Sequence, residues 1–149
     1  MTSEYYHVTE SVLEEMRRVY TETVVDHTVN PRNAGSIPNA DGFGSTTSDC
    51  GDTLEIWLKV NGNRIQNATF RTNGCGANVA TGSMVTELAR GKSVAEAQGI
   101  GPNDVLDALG GLPEGNVHCA QQAAITLRLA LQDYIVLKKE PWKKAYRKY

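Results

Sequence analysis

Apolar and polar side chains alternate along the middle of the chain with the period of a β-strand. From Asp52 onward every second side chain is apolar, and these positions are Leu54, Ile56, Leu58 and Val60. Residues two apart share one face of a strand, so the alternation predicts a strand with one buried face. The pair Asn61-Gly62 is a strong hairpin signal. We therefore expect a second strand that returns from about Arg64 to Thr72.

Helical periodicity precedes this hairpin. Apolar residues recur at near-helical spacing between residues 11 and 27 and predict one amphipathic helix. Ser11 and Glu14 form a capping-box pattern at its start, and the helix should end before Pro31. The following segment, NPRNAGSIPNADGFGS, is rich in Asn, Gly and Pro and predicts a loop with a short edge strand near Phe43.

Helical periodicity returns after the hairpin, supported by a second capping box at Ser93 and Glu96. The predicted helices are a middle helix closed by Gly91, two short helices that begin near Ser93 and Pro102, and a long helix from His118-Cys119 to about Leu137. Strands early in the chain and helices late predict an α+β domain, with a small antiparallel sheet covered by helices on one face.

Composition places the chain among ordinary globular proteins. It has 149 residues, of which 40% are hydrophobic and 21% charged, and a formal net charge of -2. A weak net charge gives no reason to expect nucleic acid or an anionic membrane as a partner. No apolar run approaches the roughly 18 residues of a membrane span, and no signal-peptide pattern opens the chain. We expect one cytoplasmic domain over residues 1–149, with a basic tail over about residues 138–149.

Three cysteines, Cys50, Cys75 and Cys119, are an odd number spread widely along the chain, which favours metal binding or catalysis over a disulfide framework. Each lies at the predicted end of a strand or helix. Helix starts favour the thiolate, which suits Cys75 and Cys119 as anionic ligands. Cys50 lies between Asp49 and Asp52, whose negative charge disfavours a thiolate unless a cation reverses the local field.

These element ends predict one small site. Cys50 and Asp52 are two residues apart in an extended segment and point the same way, and His118 precedes Cys119. Glycines beside Cys50 and Cys75 leave the backbone free of bulk where a cofactor would approach. Taken singly, each cysteine is as readily explained as a small buried apolar residue, and His118 more readily as a surface or core histidine. Together the five side chains predict a metal site.

The spacing of these side chains distinguishes between metals. Structural zinc sites use pairs of ligands about two to four residues apart, whereas these cysteines are far apart in the sequence. A Cys–His catalytic dyad is also weak, because adjacent residues at a helix start project about 100 degrees apart. Three thiolates with a carboxylate or histidine suit an iron-sulfur cluster. A carboxylate is a hard ligand that should hold such a cluster weakly, which is typical of a carrier.

Four motifs occur in order: NPRNAGS, CGD, GCGANVATGSMVTELARGKSVAEA and HCAQQA. From about Val19 to Tyr134 the chain resembles the iron-sulfur cluster assembly scaffold family, IscU and the N-terminal domain of NifU. The resemblance implies a three-stranded antiparallel sheet with several helices, and a scaffold rather than an enzyme. The implied site residues are Cys50, Cys75 and Cys119 as cluster-ligating and sulfur-accepting thiols, Asp52 as the carboxylate that modulates cluster release, and His118 as an alternative ligand.

The same resemblance implies a cargo and partners. A cysteine desulfurase of the IscS or NifS type delivers sulfur as a persulfide, which we predict Cys119 accepts first. Iron joins the sulfur, and a 2Fe-2S cluster passes to recipient apo-proteins. The family's Leu-Pro-Pro-Val-Lys motif for an Hsp70-type chaperone is replaced by Leu-Pro-Glu-Gly-Asn at residues 112–116, so that partner is not carried over. A homodimer is left open.

A zinc-dependent sulfur-transfer role is the second hypothesis. The SufU variant of the scaffold usually has lysine at the position of His118 and an insertion after the middle helix, and this chain has neither. Three thiolates with Asp52 or His118 would still satisfy tetrahedral zinc. Zinc is therefore predicted as an alternative occupant of the same ligands.

Overall fold

The structure is a computed structural model and describes residues 9–146. The predicted sheet is confirmed, including the hairpin, in which Gly62-Asn63 connects the paired residues Asn61 and Arg64. Gly62 has φ +64°, the left-handed backbone that such a turn requires. The edge strand expected near Phe43 is also present. The three antiparallel strands lie in the order β1 (Gly42–Thr47), β2 (Thr53–Asn61) and β3 (Arg64–Thr72).

Helices account for most of the remaining described residues. The α-helices are α1 (Glu10–Val19), α2 (Glu22–Val29), α3 (Gly76–Ala89), α4 (Val94–Ala97), α5 (Pro102–Leu109) and α6 (Val117–Lys139), and short 3-10 helices lie at Glu114–Asn116 and Pro141–Tyr146. The four helices predicted after the hairpin are confirmed as α3 to α6, with the capping box of Ser93 and Glu96 formed at α4. Residues 147–149 of the predicted basic tail lie outside the described part of the chain.

The single N-terminal helix predicted over residues 11 to 27 is wrong, because the structure has two helices there. Thr21 separates them: its Oγ1 accepts a hydrogen bond from the Val24 N–H at 3.1 Å and caps α2. The same hydroxyl donates to a carbonyl oxygen at the end of α5, which anchors the break. The capping box at Ser11 is also wrong, since Thr9 caps α1 by accepting from a backbone N–H of its first turn.

The hydrophobic core lies between the inner face of the sheet and helices α3 and α6. Ile56 of β2 and Phe70 of β3 are fully buried in it, as the alternating pattern predicts for β2. Helix α6 crosses β1 so closely that a Cβ on Gly44 would lie 2.5 Å from the Thr126 carbonyl oxygen. Glycine is therefore required at this crossing. The crossing holds α6 against the strand that leads into the Cys50 turn.

The outer face of the sheet departs from the alternating pattern at Trp57. The pattern groups Trp57 with the polar residues, yet its side chain is only 3% exposed. Its ring packs against the Phe43 ring, with centroids 5.2 Å apart, and lies 5.5 Å from the Arg71 guanidinium. Packing across the three strands therefore buries a side chain that a period of two would leave in solvent.

Helix α6 is 23 residues long. Its small and branched apolar residues, including Ala123, Leu127 and Leu131, are buried against the sheet and neighbouring helices. Its other face carries exposed polar residues such as Arg128. Within residues 9–146, none of the helices combines the length and the apolar character needed to cross a bilayer.

Candidate functional site

Cys50 lies in the turn between β1 and β2, at residues 48–52. The Ser48 carbonyl oxygen accepts from the Gly51 N–H at 2.9 Å, and the Asp52 carbonyl oxygen accepts from the Ser48 N–H at 2.8 Å. Gly51 has φ +87°, a conformation in which most side chains would be strained. The turn is thus closed by its own backbone, and it leaves Cys50 exposed.

Cys75 and Cys119 each lie at the start of a helix. Cys75 is the N-cap residue of α3, its carbonyl oxygen accepts from the Asn78 N–H at 2.9 Å, and its side chain is exposed. Cys119 lies in the first turn of α6 and is only 1% exposed. Its Sγ lies 3.7 Å from Nε2 of His118. The predicted placement of the cysteines at element ends is confirmed.

Electrostatic interactions connect the three cysteines with Asp52. The pKa of Cys119 is raised to about 12, first by burial and then by the charges of Cys75, Asp52 and Cys50, while a hydrogen bond with the Asn116 side chain lowers it. The expectation that the helix start favours a thiolate at Cys119 is therefore wrong for the protein alone, because desolvation outweighs the helix dipole.

The gathered side chains do not form a closed ligand sphere. Within residues 9–146, no three side chains of His, Cys, Asp or Glu are arranged so that they could hold one metal ion. Ligation by the predicted set stays a prediction and requires these side chains to converge further. That set consists of Cys50, Asp52, Cys75, His118 and Cys119.

Two side-chain amides, which the sequence pattern alone did not single out, connect these groups. Asn78 is 4% exposed, and its Nδ2 donates to Oδ2 of Asp52 at 3.0 Å and lies 4.0 Å from Sγ of Cys75. Gln122 is 8% exposed, and its Nε2 donates to the Asp52 carbonyl oxygen at 2.9 Å. Each amide follows a helix-start cysteine by three residues, on the same helix face. That spacing is the signal by which the sequence could have revealed them.

The glycines beside Cys75 make room for side chains of the protein itself. A Cβ on Gly74 would lie 2.1 Å from Nδ2 of Asn78, and one on Gly76 would lie 3.0 Å from Cγ2 of Thr28. The space beside Gly74 is thus filled by the Asn78 amide. For the glycines beside Cys75 this explanation replaces the predicted one, in which they leave room for a cofactor, whereas a Cβ on Gly51 beside Cys50 would meet nothing within 4 Å.

A cleft of about 550 Å³ opens beside the site. Cys50 and His118 line it, together with Thr46 and Ile125 among others, and Ile125 is 50% exposed. Cys119 is not among the lining residues. A molecule that enters the cleft therefore meets Cys50 and His118 before it meets Cys119.

A second buried polar cluster lies further along α3. Nδ1 of His27, on α2, lies 2.7 Å from Oγ of Ser83, and the same Oγ accepts from the Arg32 N–H at 2.9 Å. Burial lowers the pKa of His27, and the charge of Arg32 lowers it further. The ring is therefore neutral near pH 7. This cluster fastens the loop after α2 to α3.

A family model for the NifU-like N terminal domain matches residues 19–141 of the chain. The chain belongs to this NifU-like family. Relatives of this NifU-like domain include the iron-sulfur cluster assembly scaffold protein IscU 1 of Archaeoglobus fulgidus, which is 48% identical over 117 residues, covering 78% of the chain and 76% of the relative. The scaffold protein IscU of Escherichia coli is 42% identical over 120 residues, covering 77% of the chain and 93% of the relative.

Solved structures share the fold of this NifU-like domain. A candidate scaffold protein of the SUF system from Fervidobacterium islandicum matches with a TM-score of 0.62 at 23% identity, covering 77% of the chain and 98% of that structure. The N-terminal part of a NifU-like protein from Brucella abortus matches with a TM-score of 0.56 at 19% identity, covering 84% of the chain and 97% of that structure. The predicted fold, a three-stranded antiparallel sheet with several helices, is confirmed.

Proposed function

We propose that this NifU-like domain is a scaffold on which an iron-sulfur cluster is assembled and from which the cluster is passed on. Family membership and the two IscU relatives support the proposal. The structural observation that carries it is that three separate segments with Cys50, Cys75 and Cys119 are joined at Asp52. Nδ2 of Asn78 lies 3.0 Å from Oδ2 of Asp52 and 4.0 Å from Sγ of Cys75. Gln122, three residues after Cys119, donates to the Asp52 carbonyl oxygen. In this proposal the chain is a carrier rather than an enzyme.

The chemistry of the donor groups fits this cargo. Three cysteine sulfurs are soft ligands, and Asp52 or His118 would supply a fourth ligand that is not a thiolate. In the protein alone burial raises the pKa of Cys119 most, and the charges of Cys75, Asp52 and Cys50 raise it further. Among the described residues, none of the Lys and Arg ion pairs involves Asp52. Iron would supply the positive charge that this set of groups needs.

We further propose a 2Fe-2S cluster whose sulfur comes from a cysteine desulfurase. In the transfer step, an acceptor thiolate attacks the outer sulfur of the desulfurase persulfide, the S–S bond of the donor breaks, and the donor cysteine leaves as a thiolate. This transfer step needs no oxidant or reductant. Conversion of the transferred persulfide sulfur to cluster sulfide takes two electrons per sulfur, which excess free thiol in the reaction would supply. Cys119 is the proposed first acceptor. Cys119 is 1% exposed, and burial is the largest cause of its raised pKa. Its sulfur must therefore be uncovered before it can lose its proton to solvent and attack, which docking of the desulfurase would have to achieve.

Asp52 and His118 are alternatives for the fourth ligand. A carboxylate holds a soft cluster weakly, which suits a cargo that is to be delivered. Nε2 of His118 is already 3.7 Å from Sγ of Cys119. Single replacements by alanine distinguish the two, since only loss of the true ligand changes the spectrum of the loaded protein.

Anaerobic reconstitution with iron, cysteine and a cysteine desulfurase tests the proposed function. We expect equal amounts of iron and acid-labile sulfide, an optical spectrum of a 2Fe-2S cluster, and transfer of the cluster to an apo-ferredoxin. A variant with serine at all three cysteine positions is the control and should bind neither iron nor sulfide. About one zinc per chain without sulfide, together with faster desulfurase turnover, would contradict the scaffold function and support zinc-dependent sulfur transfer, because the same donors suit tetrahedral zinc.

A further inference from the structure

Buried amides reach two different parts of Asp52. Nδ2 of Asn78 donates to the carboxylate oxygen Oδ2 at 3.0 Å, and Nε2 of Gln122 donates to the backbone carbonyl oxygen at 2.9 Å. Both amide side chains belong to residues that are more than nine-tenths buried. One hydrogen bond therefore orients the side chain of Asp52, and the other holds its main chain.

We propose that Asn78 and Gln122 are positioning residues that hold Asp52 in place to act on the cluster, an inference that rests on the proposed scaffold function. Asn78 follows Cys75 by three residues on α3, and Gln122 follows Cys119 by three residues on α6. The two amides therefore join the turn of Asp52 to the starts of α3 and α6, where Cys75 and Cys119 lie. Through these bonds the backbones of the three segments stay next to one another, while the cysteine side chains still have to converge for ligation.

An amide donor is chemically suited to this task. A carboxylate can accept several hydrogen bonds, so Asn78 can occupy Oδ2 of Asp52 while Oδ1 binds iron. An amide carries no charge, so it orients the carboxylate without neutralising it. A lysine or arginine at the same place would neutralise it. Partners of this kind outside the ligand set are known to tune how a ligand binds its metal. The hydrogen bond from Asn78 thus orients the carboxylate of Asp52 without placing a positive charge beside it.

Within residues 9–146, only the nitrogen of the Gln122 side-chain amide has a hydrogen-bond partner, namely the Asp52 carbonyl oxygen. Its Oε1 is buried and finds no hydrogen-bond partner among the described residues. An unpaired buried acceptor destabilises a fold, and an apolar side chain such as that of Leu127, further along α6, would avoid the penalty. The polar residue at position 122 is therefore explained by its bond to Asp52 rather than by packing.

Gly74 provides the space for the Asn78 amide. A Cβ at position 74 would lie 2.1 Å from Nδ2 and 2.7 Å from Cγ of Asn78. Any side chain there would push the amide away from Asp52. The backbone before α3 is thus shaped around this one hydrogen bond, and Gly74→Ala should reproduce the effects of Asn78→Ala.

The hydrogen bonds can be tested in metal-free protein by nitrogen–proton NMR. The side-chain amide protons of Asn78 and Gln122 should exchange slowly with water. Asp52→Ala removes the carboxylate but keeps the backbone carbonyl, so the Asn78 protons should exchange faster while those of Gln122 stay protected. Fast exchange of both amides in the unmodified protein would overturn the proposal.

Cluster transfer separates positioning from a merely structural role. Preloaded protein is mixed with an apo-ferredoxin, and the rate of transfer is measured. Asn78→Ala should slow transfer by about tenfold, in the same direction as Asp52→Ala, because an unanchored carboxylate cannot assist release. In protein that already carries Asp52→Ala, the same substitution should have no further effect. Independent effects that multiply in the double variant would overturn the proposal.

Gln132→Ala is the matched control for Gln122→Ala, because Gln132 is an exposed glutamine of the same helix that does not line the cleft beside the site. Gln122→Ala should slow transfer, and Gln132→Ala should leave the rate unchanged. Equal rates for these two variants would overturn the role of Gln122. If the unmodified protein takes up no cluster at all, the proposed function fails, whereas the NMR experiment still decides whether the amides hold Asp52.

Discussion

Helix α3 contributes to two buried polar clusters that are built in opposite ways. In the later half of the helix, Oγ of Ser83 lies 2.7 Å from Nδ1 of His27 and accepts from the Arg32 N–H at 2.9 Å. The lowered pKa of His27 keeps the ring neutral near pH 7, so the cluster contains hydrogen bonds without a buried histidine charge. Donors and acceptors match here, and the cluster needs nothing further.

At the start of the same helix, cysteines and a carboxyl group gather instead. Burial raises the pKa of Cys119 most, Cys75, Asp52 and Cys50 raise it further, and the side-chain donor that reaches the Asp52 carboxylate is the neutral amide of Asn78. Matched donors and acceptors indicate a structural role, whereas acid-forming groups gathered around a buried thiol indicate a place for a cation. Burial of polar groups alone does not distinguish a functional site from a structural one.

Replacing Cys119 should have the largest effect. Cys119→Ser removes the sulfur that we propose as the first persulfide acceptor, so labelling with radioactive sulfur from a desulfurase should be abolished. Cys50→Ser is the matched control and should keep this first labelling. Labelling that persists on Cys119→Ser would move the acceptor role to Cys50 or Cys75, which are both exposed.

Replacing Asp52 should have the next largest effect. Asp52→Ala removes the hard ligand that weakens the hold on the cluster, so cluster loss to an apo-ferredoxin should slow by about tenfold. Absorbance of the loaded protein during transfer measures this rate. Asp49→Ala tests a neighbouring exposed carboxylate of the same turn and should leave the rate unchanged. An unchanged or faster loss from Asp52→Ala would contradict the labile-ligand role.

The cluster of His27 and Ser83 should affect stability only. Ser83→Ala leaves the Arg32 N–H and Nδ1 of His27 without their partner, so the free energy of unfolding should fall by about 1–3 kcal/mol. Urea unfolding measures the change. The rate of cluster transfer should stay the same, and a rate as slow as that of Asp52→Ala would show that the two clusters do not have separate roles.

The smallest effect is a dependence of stability on pH through His27. Its ordinary pKa is 6.5 and the fold lowers it, so below about this pH the unfolded chain takes up a proton more readily than the folded chain. The free energy of unfolding should therefore fall as the pH falls below 6.5, and this contribution should vanish above it. Urea unfolding of the unmodified protein and of His27→Gln measures the effect. Equal pH dependence in both proteins would contradict it.

Much of the fold could be predicted because the relevant signals are local. Alternation along β2 and the Asn61-Gly62 turn identified the hairpin, and a capping box identified the start of α4. The break at Thr21 could not be predicted, because the Thr21 hydroxyl also donates to the Leu109 carbonyl oxygen, 88 residues further along the chain. The burial of Trp57 likewise depends on rings and charges of neighbouring strands.

The residues of the candidate site could be predicted from the sequence, but their burial, pKa values and hydrogen-bond partners could not. Cysteines at element ends pointed to one location, and the structure joins the turn of Cys50 and Asp52 to the starts of α3 and α6 through Asn78 and Gln122. The raised pKa of Cys119 could not be foreseen, because it depends on how α6 packs. Asn78 and Gln122 are ordinary polar helix residues in the sequence, and only the fold brings Asp52 within reach of both.

Mössbauer spectroscopy of anaerobically reconstituted protein tests most directly whether Cys50, Cys75 and Cys119 meet at one cluster. The unmodified protein is compared with the three variants that each carry a single Cys→Ser substitution. We expect a cluster spectrum in the unmodified protein, and each substitution should change or abolish it, because oxygen replaces sulfur at an iron atom. A spectrum that stays the same after replacement of any one of the three would contradict a shared site.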